Sequence, residues 1–336
     1  MTPFASLADK AAIEAVGTWE QRQPVKTIYQ LAKRSAKRFP NRNALSFQIT
    51  SGPKDKAETL TWAQLMGKVN QASNMFRRLG IGEDDVVAYL LPNANETAFT
   101  LLGGAIAGIV NPINPLLEAE QIGAILRETG AKVLVTLKAF PKTDVAQKAA
   151  EAVGHAPNVK TVLEVDLLHY LSPPKSWIVP FMRPKNPISH HAKILDFNRE
   201  LAKHRSDALD FADATTDRVA AYFHTGGTTG MPKVARHRYS GMIYQGWLSS
   251  ELLVSEEDVI VCPLPLFHVF AAYPVLMAAV SAGAHMVMPT PAGYRGDGVF
   301  DNFWKLIERW KGTFMVTVPT AAAALMQRPV DADVST

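Results

Sequence analysis

Cysteine is almost absent from this chain: Cys262 is the only one among 336 residues. A disulfide framework within the chain is thereby excluded, and the expected setting is reducing and cytoplasmic. An apolar leader is missing too, because Asp9 and Glu14 interrupt the N-terminal MTPFASLADKAAIEAV where a secretory signal needs an unbroken run. Long apolar runs are scarce. Of two charge-free stretches, 97–117 holds Gly103, Gly104, Gly108, Pro112 and Pro115, and 259–294 is cut by Pro263, Pro265, Pro274, Pro289 and Pro291. The longest proline-free piece of the second, 275–288, falls short of the roughly 20 residues of a bilayer span. Both read as buried core, and no transmembrane segment is expected. Charge of one sign is also lacking: 35 Lys and Arg face 31 Asp and Glu for a net +4, with no basic block. That composition gives no footprint for nucleic acid.

What is present is alternation. With 47% apolar and 20% charged residues, the chain has material for one large α/β unit or two domains. Apolar positions recur at helical spacing in VKTIYQLAKRSAKRF, stopped by Pro40, and in a second helix opening at Thr61 and ending at Gly80. Continuous apolar runs of strand length, VVAYLL (86–91) and KVLVT (132–136), alternate with helical segments at 96–110 and 118–130. After a proline-bearing stretch at 164–215, with one helix near 194–205, the alternation resumes. Strands are expected at 219–224, 259–262, 284–288 and 313–317, and helices near 239–253, 271–282, 299–310 and 320–327. Strands without polar alternation are those covered on both faces. The expected fold is α/β, with two doubly wound, mostly parallel sheets flanked by helices. The expected division is a first subdomain over 1–190 and a second over 191–336.

The stretch richest in chemistry is VAAYFHTGGTTGMPK (219–233). An apolar strand runs into Thr225, Gly226, Gly227, Thr228, Thr229 and Gly230, then Met231, Pro232 and Lys233. Glycines permit convergent backbone N–H groups, the threonine hydroxyls add donors, and Lys233 supplies a cation, which together suit a polyphosphate. A Walker A loop is excluded, because there the lysine follows glycine directly. The plain alternative is a Gly/Thr-rich turn.

At this motif the chain resembles the AMP-forming adenylating enzymes, including acyl-CoA synthetases, firefly luciferase and the adenylation domains of peptide synthetases. Their loop is commonly T-S-G-T-T-G-x-P-K-G; here T-G-G-T-T-G-M-P-K is followed by Val234. LTWAQL (60–65), AGIVNPINPLLEAEQI (107–122) and PLPLFHVFA (263–271) resemble further family elements. The resemblance implies that the loop holds the β- and γ-phosphates of ATP while a carboxylate attacks the α-phosphate. It also implies that His268, in P-L-F-H, borders the acyl pocket, where an unrelated histidine would more simply be a core residue on a backbone carbonyl. CoA is the implied second substrate and Mg2+ the implied metal, its main ligand expected beyond these residues.

An acyl substrate is favoured over an amino acid on chemical grounds. A buried ammonium needs a carboxylate partner, and no acidic residue lies between Asp258 and Arg295. That span offers Phe267, Val269, Phe270, Ala271, Ala272, Tyr273, Leu276, Met277, Ala278 and Ala279 for an apolar channel, or simply for core. His190, His191 and Cys262 read as structural, and Arg236, His237 and Arg238 as a solvated helix start. The segment 167–181 is apolar and aromatic enough to touch a membrane surface or an acyl tail, with a buried loop as the default. The family's Y-G-x-T-E and T-G-D motifs do not occur. The expectation is therefore the N-terminal part of a fatty acyl-CoA synthetase, inactive alone. A non-catalytic nucleotide- or acyl-binding module, and an aryl or short-chain acid ligase, are the alternatives.

Overall fold

The computed structural model describes residues 4–185, 188–225 and 233–335. Its strands are β1 Asn43–Gln48, β2 Ala57–Thr61, β3 Val86–Leu90, β4 Ile109–Pro112, β5 Val133–Leu137 and β6 Thr161–Val165. They continue as β7 Lys193–Asp196, β8 Val219–Thr225, β9 Lys233–Arg238, β10 Val259–Val261, β11 His285–Pro289 and β12 Phe314–Met315. One sheet runs β7-β6-β5-β3-β4-β8-β9, the other β12-β10-β11-β1-β2. Pairing is parallel throughout except at β1–β2 and β8–β9. The architecture is the two mostly parallel sheets that continuous apolar strands imply: β3, β4 and β5 are buried at every position, as strands covered on both faces must be.

The expected division at 190 does not coincide with a separation of sheets. β1 pairs with β2 on one side and on the other with β11, from beyond residue 250, and β8 and β9 complete the sheet begun by β3. The helix Asn95–Ala107, buried at every residue, explains the interleaving. It touches β1 of one sheet and β3, β4 and β8 of the other, so its uncharged body after Glu96 is the filling between layers.

That helix carries no basic residue in its last turn, and its C-terminal carbonyls are met instead from β8. The Arg218 guanidinium donates to the carbonyls of Ala105 and Ile106 at 2.9 Å each, and of Gly108 at 2.8 Å. A cation at the negative end of a helix dipole is favourable, and here it also pins the start of β8 to the layer beneath. Other helix starts follow their sequence signals. Thr27 accepts from the Gln30 N–H ahead of the helix Ile28–Arg38, and Thr61 caps Trp62–Arg78 through Gln64.

Several elements differ from the sequence reading. Arg236, His237 and Arg238 lie on β9, paired with β8, and of the three only Arg238 also stands at a helix start, that of Tyr239–Leu252; an edge strand with exposed arginines lacks an apolar face to signal itself. The helix near 194–205 is a strand, β7, followed by a short helix Phe197–Leu201. The 313–317 strand shrinks to Phe314–Met315. The 167–181 segment is not a buried loop. It begins as a short helical turn, Leu167–Tyr170, and continues into a helix Lys175–Met182 that buries no residue.

Candidate functional site

β8 lies parallel to β4, so Thr225 sits at the carboxyl end of a parallel sheet, where open α/β sheets receive ligands. Gly226, Gly227, Thr228, Thr229 and Gly230, with Met231 and Pro232, lie outside the described residues. Their two anchors are described. Thr225 and Lys233 are exposed and face each other as the last pair of the β8–β9 ladder, and the Thr225 hydroxyl donates to the Lys233 carbonyl at 3.3 Å. The antiparallel ladder of β8 and β9 is thus held closed at the pair that flanks 226–232. Val234, standing where the family usually has glycine, continues β9 opposite His224.

Beneath the hairpin, Asn111 on β4 donates from Nδ2 to the Tyr222 carbonyl at 3.0 Å and to His224 Nε2 at 2.9 Å. An amide N–H₂ can only donate, so Nε2 of His224 accepts this bond. A fully buried asparagine therefore fixes the last turns of β8 before the loop.

His268 comes from the other sheet. It follows β10 at the carboxyl end, is exposed, and opens the helical segment whose π-helical turns span Ala271–Met277. Its carbonyl accepts from the amides of Ala271 and Ala272 at 3.1 Å each, and its Nδ1 accepts from the Phe270 N–H at 3.2 Å. With Nδ1 accepting that bond, Nε2 is the ring nitrogen left to act as a hydrogen-bond donor. This is a helix-start histidine, not one buried on a carbonyl.

The P-L-F-H segment is held by Asn93, which sequence reasoning missed. Asn93 is buried just past β3. Its Nδ2 donates to the Leu264 carbonyl and its Oδ1 accepts from the Leu266 N–H, both at 2.9 Å. Its own N–H donates to the Pro291 carbonyl at 2.9 Å. Tyr89 on β3 donates to the Leu266 carbonyl at 2.7 Å, and burial pushes its hydroxyl well above its ordinary pKa. The carboxyl ends of β3, β10 and β11 therefore meet at one residue, whose side chain holds the segment after β10 and whose backbone N–H holds the segment after β11. The signal was an asparagine at the end of an apolar strand in LLPNANE; Asn111, polar within a charge-free stretch, was a second.

The two halves of the site touch through aromatic rings. Tyr273, one turn after His268, packs edge-on against Phe223 of β8 at 5.2 Å and His237 of β9 at 5.1 Å. Burial lowers the pKa of His237 and raises that of Tyr273, which keeps both neutral. Gly246 lets the helix Tyr239–Leu252 approach the same turns, since a Cβ there would sit 2.4 Å from the Met277 carbonyl. Of the candidate channel residues, Ala271, Ala272, Tyr273, Leu276, Met277, Ala278 and Ala279 are buried. Only Phe267, Val269 and Phe270 keep accessible surface beside His268.

His191 donates from Nε2 to the Val159 carbonyl, 2.9 Å away, and Cys262 is fully buried, its thiol pushed up to about 12 by desolvation. Neither joins the site. Among the described residues, no three His, Cys, Asp or Glu side chains gather as a metal site, and no helix is long and apolar enough to cross a membrane.

Comparison with known proteins identifies the family. The model of the AMP-binding enzyme family matches residues 32–335, and the chain belongs to that family. It is 30% identical over 323 residues to the marinolic acid–CoA ligase of Pseudoalteromonas sp. (strain SANK 73390), covering 93% of this chain and 45% of that protein. It is 25% identical over 297 residues to the crotonobetaine/carnitine–CoA ligase of Proteus mirabilis (strain HI4320), covering 88% and 51%. The fold matches the crystal structure of an anthranilate CoA ligase in complex with anthranoyl-AMP, with a TM-score of 0.70 at 21% identity, covering 94% of this chain and 55% of that one. The chain spans about half the length of the relatives it matches.

Proposed function

We propose that this chain carries the triphosphate grip and the acid site of an AMP-forming carboxylate–CoA ligase whose substrate is an apolar acid, a fatty acid first of all. In that reaction a carboxylate oxygen attacks the α-phosphorus of ATP. The bond from that phosphorus to the bridging oxygen breaks, and pyrophosphate leaves with the electron pair. The thiol of CoA then attacks the acyl carbonyl of the adenylate, AMP departs, and the thiol proton passes to solvent.

The observation that carries this reading is the closed hairpin base, Thr225 against Lys233. It brings both ends of a Gly/Thr-rich segment together at a sheet's carboxyl edge, beside the helical segment that begins at His268. In the proposal, Thr225, Gly226, Gly227, Thr228, Thr229 and Gly230 offer donors to the β- and γ-phosphates, and Lys233 neutralises them. The Nε2–H of His268 donates to an oxygen of the acid or its adenylate. Asn93 is a positioning residue that fixes where that donor stands. Mg2+ would shield triphosphate charge, but the described residues gather no ligand set for it, and no step is assigned to it.

Donors at the β- and γ-phosphates alone leave the charge developing at the α-phosphate unneutralised. We therefore expect the isolated chain to bind ATP and acid with negligible turnover. ATP–pyrophosphate exchange across acids of increasing length, together with calorimetric binding of the same ligands, is the test. Binding without exchange supports the reading. Exchange at ordinary ligase rates, abolished by Lys233→Ala, overturns the expected inactivity; absence of ATP binding overturns the function itself.

One observation favours a second reading, an aryl or short-chain acid. The small residues that would open a long channel, Ala271, Ala272, Ala278 and Ala279, are packed in the core. Affinity peaking at benzoate-sized or short acids, instead of rising with chain length, would select that substrate class.

A further inference from the structure

The helix Lys175–Met182 stands apart from the rest of the molecule. Its sequence KSWIVPFM is mostly apolar, yet no residue of it is buried. Trp177 is 67% exposed and Phe181 91%, with Ile178 and Met182 also exposed. Spacing of four places Trp177 above Phe181 and Ile178 above Met182, two adjacent stripes on one helix face. Single exposed apolar residues are ordinary, but a contiguous aromatic and aliphatic face marks an interaction surface.

The helix is anchored rather than loose. Arg183, the residue after it, makes a bidentate pair with the Asp166 carboxylate at 2.7 and 2.8 Å and donates to the Ala139 carbonyl at 2.7 Å. The apolar face is thus presented at a fixed place while burying nothing against its own fold.

Charge identifies what covers it. Between Asp166 and Asp196 the sequence has no acidic residue. Arg183 is neutralised by Asp166, but Lys175 on the helix and Lys185 just past it are exposed and carry no ion pair among the described residues. Lys175 also shares a cleft of about 180 Å³ with Lys56, Ser172 and Asp55, whose carboxylate is engaged by the Thr50 hydroxyl and the Gly52 N–H. Exposed Trp and Phe flanked by uncompensated lysines are the chemistry of the interface between lipid headgroups and acyl chains.

We propose that this helix docks the chain peripherally on anionic phospholipid bilayers, Trp177 and Phe181 entering the interface and Lys175 and Lys185 facing lipid phosphates. The test is flotation of the 336-residue chain with vesicles of phosphatidylcholine, with and without phosphatidylglycerol. The chain should float with the anionic vesicles and far less with the neutral ones. Trp177→Ser with Phe181→Ser should weaken partitioning about tenfold or more, since each ring contributes a large apolar area, while leaving the melting temperature unchanged because neither ring is packed. Lys175→Glu with Lys185→Glu should erase the preference for phosphatidylglycerol. The proposal is overturned if the wild-type chain does not float, or if the serine variant floats equally well. It is also overturned if sedimentation shows a self-associated chain that only the serine variant dissociates and vesicles do not bind, which would assign the face to a second copy.

Discussion

Replacing Asn93 by alanine tests the junction of the two sheets directly. The side chain makes two buried hydrogen bonds, and its removal leaves the Leu264 carbonyl and the Leu266 N–H facing each other without partners. Leaving a buried polar group unsatisfied costs about 1–3 kcal/mol, so the two together cost about 2–6 kcal/mol. An unfolding entropy of roughly 2.1 cal/mol/K per residue gives about 0.7 kcal/mol/K for a chain of 336 residues. Asn93→Ala should then lower the midpoint of cooperative thermal unfolding by about 3–9 °C, measured by calorimetry. The same variant should weaken acid binding beyond what its stability loss explains, because the His268 segment hangs from this clamp. Asn93→Asp gives an internal control. A protonated carboxyl can still donate to the Leu264 carbonyl, whereas an ionised one cannot, and burial disfavours ionisation. Its deficit relative to wild type should therefore grow as pH rises from 4 towards 7. A midpoint shift below about 1 °C for the alanine variant would refute the clamp.

Arg218→Ala removes the cation that meets the carbonyls of Ala105, Ile106 and Gly108. It should destabilise by about 3 kcal/mol or more, since several buried acceptors lose their partner at once; an unchanged melting curve would contradict that role. His285 is buried against the Ser46 hydroxyl at 2.8 Å, and desolvation lowers its pKa from 6.5 to about 4. The unfolded chain therefore binds its proton first, and stability should fall as pH drops from 6.5 to 4, by up to about 3 kcal/mol from this group. His285→Asn, which keeps a partner for Ser46 without titrating, should show a shallower acid loss, and equal acid sensitivity in denaturant melts would refute the assignment.

Much of the layered core was legible because its strands are unbroken apolar runs and its helices carry their own stop and start signals, as at Thr61 and Gly130. The segment 226–232 stood out through composition, since Gly226, Gly227, Thr228 and Thr229 lie between a strand and a lysine; its phosphate role is the proposal that ATP binding tests. The segment at β9 did not stand out, because an edge strand with Arg236 and Arg238 outward has neither a continuous apolar run nor a clean alternation. Arg218 was silent, and Asn93 showed only as an asparagine closing an apolar strand, with nothing to say what it binds. Their work is to satisfy backbone groups from distant segments, such as the Leu264 carbonyl and the end of the helix Asn95–Ala107, and a one-dimensional pattern carries no trace of which carbonyl lies opposite. The mixing of β1 and β2 with β10 to β12 was hidden for the same reason, as strand order depends on packing across the helix between the sheets.

Binding of ATP to the 336-residue chain and to its Lys233→Ala variant, by titration calorimetry at fixed ionic strength, addresses the triphosphate grip most directly. Lys233 is exposed, so the variant should melt with the parent. A charge-assisted contact of about 1.5–3 kcal/mol predicts one site on the parent and an affinity weaker by about tenfold to a hundredfold in the variant. Equal affinities, or no heat of ATP binding by the parent chain, would contradict it.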